Sequence, residues 1–135
     1  MSKILALDYG ASRIGVAVSD LRQTVAFPRE PLLNNSVWEK DLDQIIQTEQ
    51  ITKIILGNPL NQQGKPSEQS QIVKTLRDKL ERELGVTVEL IDERYTTVQA
   101  RRNFNLAKIP TRRQKGLIDS AAAQIMLQMY LDRNN

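Results

Sequence analysis

The chain contains no cysteine and no histidine. Without cysteine there is no disulfide, no thiolate nucleophile and no cysteine-held zinc. Without histidine no Ser-His or Cys-His triad can be assembled, and the usual imidazole metal sites are excluded as well. Any metal has to be held by oxygen, which favours magnesium or manganese over zinc. The chain also lacks any apolar stretch near the roughly 18 residues of a membrane span. Met1-Ser2-Lys3 leads straight into a strand-like segment with no signal-peptide pattern. The expected location is therefore the cytoplasm, with no membrane partner.

The 135 residues suit one domain, 1–135, with no repeat, linker or low-complexity segment. A domain of this size buries roughly two-thirds of its unfolded surface, enough for one core. An apolar share of 40% and a charged share of 26% are ordinary globular usage, which argues against disorder and against a fibrous class. The net charge of +3 hides an uneven distribution. From Arg94 to Ile118 there are seven basic residues and no acid, leaving the rest of the chain at 12 minus 16, or −4. Such a stretch suits a polyanion, although a solvated helix face and loop would read the same way.

Ile4 to Leu7 and Ile14 to Val18 are apolar runs separated by turn chemistry, and Thr24 to Phe27 reads as a third strand ended by Pro28 and Pro31. Ser36 with Glu39 fits a capping box for a helix over about 37–49. Lys53 to Leu56 is a short buried strand, followed by a loop of about ten residues marked by Gly57-Asn58-Pro59 and Gly64-Lys65-Pro66. Ser67 caps a second helix that Gly85 stops, and Val86 to Ile91 is the fifth strand. A short helix is predicted near 97–104. A long one over about Gln114 to Asp132 is predicted to turn Ile118, Ala121, Ala122, Ile125 and Met129 inward. Three antiparallel strands followed by alternating βα units predict an α/β fold with a five-stranded mixed sheet flanked by helices, the ribonuclease H topology.

Four acids stand where such a sheet would place chemistry. Asp8 closes the first strand beside Gly10, where the backbone leaves room for a phosphate or metal, although an Asx-turn aspartate would look the same. Asp92 and Glu93 end the fifth strand, and alternation lets only one of them face the side of Asp8. Asp119 opens the last helix, whose alanines allow close approach to the sheet, although an acid near a helix N-terminus is also favoured by the macrodipole. Carboxylates without histidine suit magnesium, which binds through one or two carboxylates, waters and substrate phosphates.

The segment from Asp8-Tyr9-Gly10-Ala11-Ser12-Arg13-Ile14-Gly15 to Asp20 closely resembles the N-terminal signature of the YqgF family, also called RuvX, of bacterial ribonuclease H-like proteins. Gly57-Asn58-Pro59-Leu60 with Gly64, Asp92-Glu93-Arg94-Tyr95-Thr96-Thr97 and Lys115-Gly116-Leu117-Ile118-Asp119-Ser120-Ala121-Ala122 match further family motifs in order. The resemblance implies an endonuclease that matures the 5′ end of pre-16S ribosomal RNA, working on ribosomal precursor particles. An alternative is a Holliday junction resolvase acting on branched DNA. It also implies Asp8, one acid of the Asp92-Glu93 pair with Glu93 preferred, and Asp119 as catalytic ligands of Mg2+ or Mn2+. Arg13 and Arg94 are implied phosphate contacts and Tyr95 a base-stacking residue, while Arg112, Arg113 and Lys115 of the basic stretch are expected to be further nucleic-acid contacts.

One departure stands out. In ribonuclease H and RuvC the second acid ends strand four, whereas this chain has Gly57-Asn58-Pro59 there and its acids on strand five. Two other classes compete with the nuclease. One is a nucleotide-binding ATPase of the actin and sugar-kinase type, which needs two domains to clasp its ligand. The other is an RNA-binding ribosome-assembly factor that does not cut.

Overall fold

A computed structural model of the chain describes residues 1–59, 67–92 and 111–134, with the helical backbone alone for 111–119. Five strands and three helices are described. They are β1 (Lys3–Tyr9), β2 (Arg13–Ser19), β3 (Ala26–Leu33), α1 (Trp38–Glu49), β4 (Ile51–Asn58), α2 (Glu68–Leu84), β5 (Thr87–Asp92) and α3 (Thr111–Arg133). The short helix expected near 97–104 and the loop after Pro59 lie outside the described residues.

The strands form one sheet in the order β3-β2-β1-β4-β5. β1 pairs antiparallel with β2 and parallel with β4, and β4 pairs parallel with β5. Strand alternation divides the core between the two faces. On one face Leu5, Leu7, Val16, Ile54 and Leu56 pack against Trp38, Leu42 and Ile46 of α1 and Val73, Leu76 and Leu80 of α2. On the other, Ile4, Ala6, Ala17, Ala26 and Ile55 pack against Ala123, Met126, Leu127, Tyr130 and Leu131 of α3. Small side chains on both surfaces bring α3 close to the sheet.

Three local expectations need correction. β3 does not end at Phe27 but continues through both prolines to Leu33. It lies at the sheet edge, where a missing outward N–H breaks no ladder bond. The outward groups of Ala26 are met by α3: Gln128 Oε1 accepts from its N–H at 2.9 Å, and Gln124 Nε2 donates to its carbonyl at 3.1 Å. Helix α1 starts without a capping box, since Val37 makes no side-chain cap bond, and Asn35 Oδ1 accepts from the Val37 N–H instead. Helix α3 buries Ala123, Met126, Leu127 and Tyr130, while Met129, expected inside, is 51% exposed.

The expectations for α2 hold. Ser67 and Ser70 form a reciprocal capping box at the start of α2, and Gly85 ends the helix in the left-handed conformation at φ 69°. The β2–β3 turn is closed by Asp20, whose carboxylate accepts from Thr24 N, Thr24 Oγ1 and Val25 N at 2.7, 2.7 and 3.0 Å. Those donors, led by the Val25 N–H, lower its pKa to about 2. Among the described residues no helix is long and apolar enough to cross a membrane.

Candidate active site

Alternation along β1 settles which side Asp8 takes. Leu5 and Leu7 face α1 and α2 while Ile4 and Ala6 face α3, so Asp8 lies on the α3 side near the end of the strand. Tyr9 takes the opposite side and packs against Trp38, with ring centroids 5.9 Å apart. Across the antiparallel ladder Asp8 stands opposite Gly15. On its other flank, one step beyond the Leu7–Leu56 pair, comes Gly57. Asp8 is thus bordered on both neighbouring strands by residues without side chains. Among the described residues its carboxylate makes no ion pair and no hydrogen bond.

Helix α3 runs antiparallel to β1. Its far end meets the start of the parallel strands, where Lys53 Nζ donates to the Tyr130 hydroxyl. Nearer its beginning, the buried Ser120 donates its hydroxyl to the Arg29 carbonyl on β3, and Arg29 aligns through Val16 with Leu7. The first turns of α3 therefore lie at the Asp8 end of the sheet. Asp119 occupies the helix position just before Ser120 and one turn before Ala123, which packs with Ala6 and Ala17. The side chains of Arg112, Arg113, Lys115 and Asp119 are outside what the structure describes.

The expected departure on β4 is present. The strand ends in Gly57 and Asn58, paired with Ile91 and Asp92 of β5. Val88 and Leu90 face α2 whereas Ile91 packs on the α3 side, so Asp92 points to the face opposite Asp8. Glu93, Arg94 and Tyr95 lie outside the described residues. β4 stands between β1 and β5, so the two strand ends are about 10 Å apart. The Oδ1 atom of Asn58 is buried and has no hydrogen-bond partner among the described residues.

Arg13 begins β2 on the same face as Asp8, two positions from Gly15 and thus diagonal to the aspartate. The turn joining them is tight, because a Cβ on Gly10 would come within 2.6 Å of the Arg13 carbonyl oxygen. Two contributors escaped sequence reading. Asn34 binds this turn from beyond β3, and Ser120 holds α3 to Arg29. Neither carries a local signal, since their partners lie 24 and 91 residues away.

An oxygen-only donor set around Asp8, a carboxylate that is unengaged among the described residues and stands between two glycines, fits a hard divalent cation. Among the described residues no three acidic, histidine or cysteine side chains converge to hold one.

A family model described as "RuvX: Holliday junction resolvase" matches residues 2–133. A protein of Sulfurihydrogenibium sp. (strain YO3AOP1) named "Putative pre-16S rRNA nuclease" is 38% identical over 135 residues, covering 98% of this chain and 92% of that protein. One of the same name from Endomicrobium trichonymphae is 34% identical over 135 residues, covering 98% and 96%. Among solved structures, Fowlpox virus resolvase with its substrate Holliday junction DNA superposes with a TM-score of 0.60 at 14% identity, covering 98% of each chain. T. thermophilus RuvC with a Holliday junction substrate gives 0.58 at 10% identity, covering 99% and 96%. These likenesses are of fold, and the sheet order with helices on both faces is ribonuclease H-like. The chain belongs to the RuvX family.

Proposed function

We propose that this protein is a divalent-metal-dependent endonuclease that hydrolyses phosphodiester bonds in structured RNA, with the 5′ end of pre-16S rRNA as its substrate. The observation that carries the reading is the setting of Asp8. Among the described residues its carboxylate is unengaged, and it stands on a glycine-flanked strip of sheet at the end where α3 begins. The names of relatives 38% and 34% identical supply the substrate.

Asp8, Glu93 and Asp119 are the catalytic set. Asp92 faces the other side of the sheet, so Glu93 is taken as the acid of that pair that serves the Asp8 side. Together they would hold Mg2+ or Mn2+. When bound, such an ion polarises the phosphoryl group and acidifies the attacking water. Arg13 orients a phosphate from the Asp8 face and offsets its charge. Arg94, Arg112, Arg113 and Lys115 extend that positive path, and Tyr95 stacks on an unpaired base. The whole chain, 1–135, acts as one domain in the cytoplasm, on RNA within ribosomal precursor particles.

The family description favours a second reading, cleavage of Holliday junction DNA by the same residues. The two are separated by incubating wild type and Asp8→Asn with Mg2+ or Mn2+ on pre-16S RNA and on a four-way DNA junction. Cutting of the RNA alone, lost in Asp8→Asn, is the expected result. Preferential cutting of the junction would favour the resolvase. Activity surviving Asp8→Asn would sink the metal site, and binding without cutting by both proteins would point to an assembly factor.

A further inference from the structure

The β1–β2 turn carries Asp8 before it and Arg13 at its far end, and the chain leaving β3 grips it from the side. The Nδ2 of Asn34 donates to the Gly10 carbonyl at 2.8 Å. The backbone N–H of the same residue donates to the Ser12 carbonyl at 2.9 Å. One residue therefore holds both limbs of the turn. Its backbone bond continues the β2–β3 ladder one step past the Arg13–Leu33 pair, and its side chain then crosses to the end of β1.

The inner side of the turn has no room for a side chain at Gly10, since a Cβ there would stand 2.6 Å from the Arg13 carbonyl oxygen. Among the described residues no other side chain from outside the hairpin donates to the Gly10 carbonyl. Ala11 and Ser12 are exposed, so the tip of the turn has no core packing to place it. The only long-range side-chain bond that orders this tip comes, among the described residues, from Asn34.

We propose that Asn34 is a positioning residue for phosphodiester cleavage, clamping the turn so that Arg13 keeps its place beside Asp8. This inference rests on the nuclease reading above. Water replaces the lost partner of a carbonyl at an exposed turn, so removing the amide leaves the fold nearly intact while loosening the turn. The loss falls on the reacting geometry, where small misplacements are costly.

The test measures steady-state cleavage of pre-16S RNA by the full chain as wild type, Asn34→Ala, Asn34→Asp and Asn35→Ala, with a melting curve for each. Asn34→Asp keeps the shape and removes the donor. Asn35→Ala is the neighbouring control, since Asn35 serves the start of α1 and not the turn. Both Asn34 variants are expected to lose about 10- to 100-fold in kcat with KM within about twofold, whereas Asn35→Ala keeps its kcat. Unchanged kcat in the Asn34 variants of an active enzyme would overturn the clamp alone. So would losses in all three variants that simply follow their melting temperatures. A wild type that cuts neither RNA nor the four-way junction would instead bring down the nuclease reading, and the clamp with it.

Discussion

Ser120 and Arg29 are joined by a bond from the serine hydroxyl to the arginine carbonyl, and the Arg29 guanidinium reaches the other way to Glu49. The guanidinium forks onto both Glu49 oxygens at 2.8 and 2.5 Å. A single residue of the edge strand thus links α3 on one face to α1 on the other. Ser120 is fully buried and sits beside Asp119, so its hydroxyl fixes the turn of α3 that carries the acid. Ser120→Ala is expected to cost about 1–2 kcal/mol in urea unfolding and to lower cleavage. Wild-type values for both would show that the bond contributes nothing.

Asp92, which ends β5, and Glu93, the next residue in sequence, should behave oppositely. Asp92 points away from Asp8, so Asp92→Asn should keep cleavage within about threefold of wild type, whereas Glu93→Gln should lose at least about 100-fold. The reverse pattern in the same assay would mean that the strand alternation breaks down at its end.

Gly10 is required by space and not by dihedral angle, since Gly85 is the one glycine of positive φ among the described residues. Gly10→Ala would push a methyl group into the Arg13 carbonyl at 2.6 Å, and backbone has to move to relieve it. A loss of about 1–3 kcal/mol is expected from chemical denaturation, together with a fall in kcat.

The sequence made the central strands legible because their apolar runs are continuous and bounded by turns. The caps of α2 were equally legible, since Ser67 and Gly85 act locally. The edge strand was not, because Pro28 and Pro31 forbid only one side of a ladder and the sequence does not say which side is free. In α3 the run Ala121-Ala122-Ala123 and Ile125-Met126-Leu127 offers more than one apolar stripe. Met129 therefore looked as suitable for the core as Met126, and only the sheet decided between them. At the candidate site, the place of Asp8 at the end of β1 and of Gly10 just after it was readable, whereas the flanking by Gly15 and Gly57 emerged only from the strand register. The staples supplied by Asn34 and Ser120 depend on chain crossings that no local pattern encodes.

Asp20 gives a pH signature unrelated to catalysis. Its folded pKa lies below the ordinary value of 3.8, at about 2, through its bonds to Val25 and Thr24. A depressed carboxyl pKa stabilises the folded state above the unfolded pKa, and that contribution disappears as pH falls from about 4 towards 2. Asp20→Ala should therefore melt earlier than wild type at pH 7, and the gap should narrow across this acid window. A gap independent of pH would remove the carboxylate from the explanation.

The edge of β3 offers another check. Gln128→Ala removes the acceptor of the Ala26 N–H and the donor to the Thr24 carbonyl. Amide hydrogen exchange at Ala26 should quicken by about fivefold or more, corresponding to a loss of roughly 1 kcal/mol. Exchange at wild-type rate would show that water serves the edge as well as the glutamine does.

The position of β4 between β1 and β5 bears on how this centre can vary. The gap between Asp8 and the end of β5 is spanned by a hydrogen-bonded backbone, so its width is set by ladder spacing and cannot be narrowed by repacking side chains. Within such a frame, reach is adjustable only through side-chain length, as between aspartate and glutamate, or by placing a new acid on β4 itself. Gly57 is the natural address for that change, because it lies on the Asp8 face beside the strand the aspartate occupies. An acid there would set a second carboxylate directly beside Asp8 without altering the fold.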